Sequence, residues 1–202
     1  GSGKSYVASQ LFGIPSDHSI SSKYDLKPVN SDREFEKLLA DKGLETYKWG
    51  TIDIDQWPDE VLIVATGEDS KGNKLDPGQM SVRDAAKKMT KRRLKQYTEG
   101  RLGVIIDGTG HNYGKIAAQK KKMEHMGYDC YMVAVNTSLD VAKMRNQKRK
   151  RALPEDILEK SWSDVQNNLG KFQGPFRSNF KIIDNSKFLS EKEAQSKFKK
   201  IM

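Results

Sequence analysis

The spacing of apolar residues changes from stretch to stretch along this chain, and the changes mark its elements. Tyr6, Val7, Ala8, Leu11 and Phe12 recur at helical intervals and stop at Gly13 and Pro15, which predicts a helix directly after residue 5. Tyr24 to Val29 reads as a short strand, and Pro28 places it at a strand end or sheet edge because proline cannot donate to a ladder. Ser31 and Glu34 stand in capping-box spacing ahead of Phe35, Leu38 and Leu39, a helical stripe that Gly43 ends. Ser81 caps a basic helix reaching about Gln96 and closed by Gly100. Leu102 to Ile106 is an apolar, β-branched run of the kind a buried parallel strand shows. Tyr113 to Met126, stopped by Gly127, predicts a helix, and Tyr128 to Val135 the next strand. Ser138 caps a helix through about Lys150, and Pro154 opens another that ends near Gly170. Phe180 to Ile183 is a last short strand, and Ser190 with Glu193 caps a terminal helix.

Residues 46 to 79 break this rhythm. Trp49, Trp57-Pro58, the apolar run Val61 to Ala65, the polar Gly67 to Gly72 and Pro77-Gly78 read as an insertion with one hairpin, facing a substrate. Outside it, strands alternate with helices, which predicts an α/β fold. A single domain over residues 1–202 would have three layers, α/β/α, around a mostly parallel sheet, with ligands at the carboxyl ends of the strands.

Candidate chemistry begins at the first residue. Gly1-Ser2-Gly3-Lys4-Ser5 matches the second half of G-x-x-x-x-G-K-[ST], a loop whose amides surround the β-phosphate of a nucleoside triphosphate. Lys4 would reach the β- and γ-oxygens and Ser5 would ligate Mg²⁺. A Gly-Ser-Gly linker fits the same letters, but the helix-spaced residues that follow favour the phosphate loop. The motif's first glycine and its preceding strand lie outside this sequence, so an N-terminal truncation is expected.

Phosphoryl transfer needs positioning and charge neutralisation, so the remaining parts to find are a metal carboxylate, a base and mobile arginines. Asp107, directly after Val104-Ile105-Ile106 and before Gly108-Thr109-Gly110, is placed to hold Mg²⁺ through water. The plainer reading is a turn aspartate satisfying local amides. Asp32, at the junction of the second strand and helix, is the candidate general base; its plainer reading is a first-turn acid complementing a helix dipole. Arg145, Arg149 and Arg151, in the run Arg145 to Arg151 before Ala152-Leu153-Pro154, suit a lid over residues 145–155 that closes on phosphates. A solvated helix face is the usual fate of such a run, but here the arginines flank a helix break, and Arg145 and Arg149 share a face.

Composition narrows the partners. The net charge of +9 favours a polyanion or a phosphate-rich ligand. Cys130 is the only cysteine, so no disulfide forms within the chain, and its apolar setting suits a buried structural thiol in a reducing cytoplasm. No apolar stretch approaches the roughly 20 residues that span a bilayer, so a soluble protein is expected. His18, His111 and His125, scattered and without Cys-x-x-Cys or His-Glu pairing, argue against zinc.

These residues resemble the P-loop kinases that group the bacteriophage polynucleotide 5′-hydroxyl kinase domain with the zeta-toxin kinases. The best section is Val141 to Leu158, where Arg145-Asn146-Gln147-Lys148-Arg149 precedes Leu153-Pro154-Glu155-Asp156-Ile157-Leu158, similar to the phage kinase's Arg-Asn-x-x-Lys-Arg run before its Val-Pro-x-x-Val/Ile-Leu helix start. The resemblance implies that Arg145 and Arg149 contact nucleotide phosphates, and Asn30-Ser31-Asp32 resembles the segment carrying the acceptor-activating aspartate. It further suggests a phage-encoded protein acting in the host cytoplasm. One departure is that Asp107 stands a place earlier than the acid of the phage kinase's Ser-Asp-Thr-Asn, so its role does not carry over directly.

The expectation is therefore an ATP- and Mg²⁺-dependent kinase acting on a hydroxyl: a polynucleotide 5′-hydroxyl first, a sugar-nucleotide or other small alcohol second. A non-catalytic nucleotide- or nucleic-acid-binding module is the rival from another class. A motor ATPase is disfavoured, because the strand before Asp107 does not end in the Asp-Glu pair that activates water.

Overall fold

A computed structural model describes residues 3–13, 24–44, 54–148 and 153–187, with residues 193 and 196. Its elements in chain order are α1 (Lys4–Phe12), β1 (Lys27–Val29), α2 (Ser31–Asp41), a 3-10 turn (Ile54–Gln56), α3 (Asp59–Thr66), α4 (Val82–Glu99), β2 (Val104–Ile106), α5 (Tyr113–His125), β3 (Met132–Asn136), α6 (Leu139–Gln147), α7 (Glu155–Phe176), a second 3-10 turn (Arg177–Asn179) and β4 (Phe180–Asp184). They fall into two compact units, one built from Gly1–Ser19, Gly108–Lys148 and Leu153–Met202, the other from Ile20–Asp107 with Arg149–Ala152.

In the first unit β3 and β4 pair in parallel from Met132 with Phe180 to Asn136 with Asp184. Parallel neighbours need a long crossover, and α6 and α7 supply it. One cluster joins α1 to this sheet through buried Val7, Leu11 and Ile183, with Val133 and Val135 against them. A second gathers Phe172, Phe176 and Phe180 in tilted and edge-to-face contact, with Tyr113 5.5 Å from Phe172 between ring centroids. That aromatic cluster explains why α7 runs past Gly170, where the sequence suggested an end. A helical glycine costs about 1 kcal/mol, less than burying Phe172 and Phe176 returns. Cys130 is half-buried beside this cluster, and burial pushes its thiol pKa up, as suits a structural thiol.

In the second unit β1 and β2 pair in parallel, Lys27 with Val104 through Val29 with Ile106. The core beside them gathers Phe35, Leu39, Trp57, Ala65, Val82 and Ala86. Val61 to Ala65, read from sequence within an insertion bearing a hairpin, forms α3 instead. Pro58 precedes that helix, Asp59 and Glu60 occupy its first turn, and Gly67 closes it with φ 98°. A short apolar run fits either period, and here packing against Trp57 and Val82 selects helix. Of the hairpin, the described residues show one antiparallel bridge, Glu68 to Lys74.

Smaller corrections concern boundaries. The cap of α2 is Asn30, whose side chain accepts from the Asp32 amide, and not Ser31. The strand expected from Tyr128 begins at Met132, and α6 ends at Gln147 rather than near Lys150. The terminal helix expected after Ser190 lies outside the described residues. No described helix is long and apolar enough to cross a membrane.

Candidate functional site

Among the described helices, α1 alone starts with neither a side-chain cap nor an acidic residue in its first turn. Asn30, Ser81, Asn112 and Ser138 cap α2, α4, α5 and α6, while α3 and α7 open on two acids each. The first-turn amides of α1 and its dipole are therefore left for an anion, with Lys4 as the first helical residue.

Gly3 sets the entry to that turn. It holds φ 79° and ψ 25°, a left-handed conformation that glycine adopts without steric cost. A Cβ there would stand 2.6 Å from Asn185 Nδ2 and 3.9 Å from Arg145 Nη1. The loop glycine, Asn185 after β4 and Arg145 in the last turn of α6 thus meet at one point of the first unit. Arg145 Nη1 is buried there.

The helix pair bearing Arg145 is braced in two ways. Asn146, buried, donates from Nδ2 to Leu153 O at 2.8 Å and accepts the Leu153 N–H on Oδ1 at 3.0 Å. Lys143 Nζ lies 2.5 Å from both Glu155 and Glu159, and hydrogen bonding to Glu155 and then Glu159 raises its pKa. These contacts tie α6 to the start of α7 on either side of residues 149–152. Arg149 and Arg151, expected to complete the lid, lie outside the described residues, as do Gly1 and Ser2 of the loop. Ser5 is in α1.

The second unit assembles a different set. The Asp107 amide donates to Val29 O at 3.2 Å, so the ends of β1 and β2 stay level. Asn30 accepts the Asp32 amide on Oδ1 at 2.8 Å and donates from Nδ2 to Asp107 Oδ2 at 3.0 Å. One asparagine side chain thereby connects both exposed aspartates expected to work, at the carboxyl edge of the strand pair. Sequence reading missed Asn30 and Asn185. The first carried a signal, since Asn is a preferred cap immediately before a helical stripe; the second becomes visible only when β4 is placed beside α1.

In the second unit the Asp107 carboxylate is a hard oxygen donor of the kind Mg²⁺ takes, an ion that uses few protein ligands and keeps waters and phosphate oxygens. Among the described residues no group of three acids, histidines or cysteines is placed to hold a metal ion. His111 is engaged locally: Nδ1 pairs with Thr109 Oγ1, and its carbonyl accepts from Asn168 Nδ2 at 2.8 Å.

No curated protein and no solved structure matches the chain significantly. Residues 1–171 match the AAA_33 family profile, described as an AAA domain. With a bare helix start at Gly3-Lys4-Ser5 and parallel strand pairs among its helices, the chain belongs to the AAA_33 family of AAA domains, a P-loop NTPase group that includes P-loop kinases, polynucleotide-kinase-like ones among them.

Proposed function

We propose that this protein is an ATP-dependent kinase that transfers the γ-phosphoryl group to a polynucleotide 5′-hydroxyl. The observation that carries the reading is the meeting of Gly3 with Arg145: a phosphate-loop glycine and an arginine 142 positions away share one point beside an uncapped helix start. Lys4 and Arg145 neutralise charge on the phosphates, which is where phosphoryl transfer gains most. Arg149 and Arg151 complete the lid. Asp32 accepts the proton of the acceptor hydroxyl as its oxygen attacks the γ-phosphorus and the bond to the departing ADP breaks. Ser5 and Asp107 would hold Mg²⁺, which would offset charge on the phosphate oxygens. Asn30 keeps Asp32 and Asp107 in fixed relation.

Transfer of radiolabelled phosphate from ATP to DNA, RNA and sugar-nucleotide acceptors tests this. Product with 5′-hydroxyl strands is expected, and Asp32→Ala should lower the rate by roughly 10² to 10⁴. Transfer to no hydroxyl acceptor, with Asp32→Ala behaving as wild type, would turn the reading toward a non-catalytic binding module.

A further inference from the structure

Arg33, Glu34 and Lys37 of α2 face Arg93, Gln96 and Tyr97 of α4 around a cavity of about 330 Å³ within the second unit. Glu34 is 3% exposed; its Oε1 accepts from Arg93 Nη1, while its Oε2 is buried with no hydrogen-bond partner among the described residues. A buried carboxylate oxygen without a donor is costly, and burying a whole ion pair repays its desolvation only when the remaining lone pairs are met. This oxygen therefore calls for an N–H or O–H that the described residues do not supply.

The rim asks for the opposite. The Glu34–Arg93 pair is neutral as a unit, which leaves Arg33 and Lys37 as two cations with no ion pair among the described residues. They stand four apart on α2, where like charges repel. An anion between them would remove that repulsion. Tyr97 adds a ring on which a flat group can stack, and Gln96 an amide that both donates and accepts.

An anionic phosphate, a planar ring and an N–H donor on one small unit are the parts of a nucleotide. We propose that this cavity holds one nucleotide unit, with its phosphate at Arg33 and Lys37 and a base N–H on Glu34 Oε2. Its volume lies within the range of small-ligand sites. Asp32 and Glu34 are two residues apart on a helix and point about 200° apart, so the cavity is not where a reacting hydroxyl would meet Asp32. The unit it holds is either a free mononucleotide or a residue further along a bound strand. Only the second of these rests on the polynucleotide reading above.

Calorimetric titration of the full chain, with excess Mg-ADP to saturate the phosphate loop, separates the possibilities. The probes are dGMP, inorganic phosphate and a short single-stranded oligodeoxynucleotide. Glu34→Gln keeps an oxygen for Arg93 and turns the second acceptor into a donor, so it should weaken dGMP or oligonucleotide binding roughly tenfold to a hundredfold. The Arg33→Gln/Lys37→Gln double variant, altered only at the rim, should do the same and decides the matter if Glu34→Gln fails to fold. Binding of dGMP assigns a mononucleotide site, and binding of the oligonucleotide alone assigns a strand site. Equal binding to wild type and variants, inorganic phosphate binding as well as dGMP, or binding of neither nucleotide probe would overturn the proposal. No turnover enters this measurement, so it stands or falls apart from the kinase assay.

Discussion

Replacing Gly3 by alanine would place a methyl group 2.6 Å from Asn185 Nδ2 and require an L side chain to hold φ 79°. The left-handed backbone alone costs about 1–2 kcal/mol for a residue with a Cβ, and the clash displaces Asn185 or the loop. Gly3→Ala should therefore lower the melting temperature and weaken ATP binding together; unchanged ATP affinity would remove Gly3 from the proposed cradle. At this scale the sequence was informative where a residue's chemistry is local. Lys4 stood out by the Gly3-Lys4-Ser5 motif, and Asp32 and Asp107 because each follows an expected strand. Asn185 did not, because nothing near it in the chain signals that β4 will bring it against Gly3.

The start of α4 shows how an element is fixed by its first turn. Buried Ser81 accepts the Asp84 amide at 3.1 Å and donates to Asp84 Oδ2 at 3.0 Å, while Asp84 also receives Lys87 Nζ at 2.9 Å. Ser81→Ala should cost about 1 kcal/mol, or roughly 2–4 °C in melting temperature for a chain of this size. The hydrogen bond from Lys87, and then that from Ser81, holds the Asp84 carboxyl below its ordinary value. A depressed folded-state pKa stabilises above the unfolded value and is lost as acid protonates the group. The melting temperatures of wild type and Asp84→Asn should therefore differ at neutral pH and converge below the ordinary carboxylate range. Between α6 and α7, Asn146→Ala would strand the Leu153 amide and carbonyl, at about 1–3 kcal/mol if they stay dry. A raised KM for ATP is the expected companion, because the same helix carries Arg145. Helix existence was legible throughout these segments, whereas α3 and the length of α7 were not. In both, tertiary burial against Trp57 or the Phe172 cluster overrode what local glycine, proline and spacing signals suggested.

For the whole molecule, a net charge of +9 sets a measurable expectation. If strands are the acceptor, log affinity for single-stranded DNA should fall linearly with log salt, with a slope of about −0.7 for each phosphate neutralised. A sugar-nucleotide acceptor would show a shallow dependence. The sequence also carried the alternation of strands and helices and the parallel pairing that follows from it. It did not disclose the cavity between α2 and α4, because Glu34 and Arg93 look like ordinary surface charges until the two helices are packed.

Both strand pairs are parallel, and residues 30–103 separate β1 from β2 while residues 137–179 separate β3 from β4. Neither pair can register until a long intervening stretch has been gathered in, an entropic debt owed before any ladder bond forms. Helices such as α4 and α7 are local and can flicker into being on the microsecond scale. On dilution from denaturant of a Trp49→Phe/Trp162→Phe variant, far-ultraviolet circular dichroism should thus recover ahead of the fluorescence of Trp57, which reports the assembled interior beside α3.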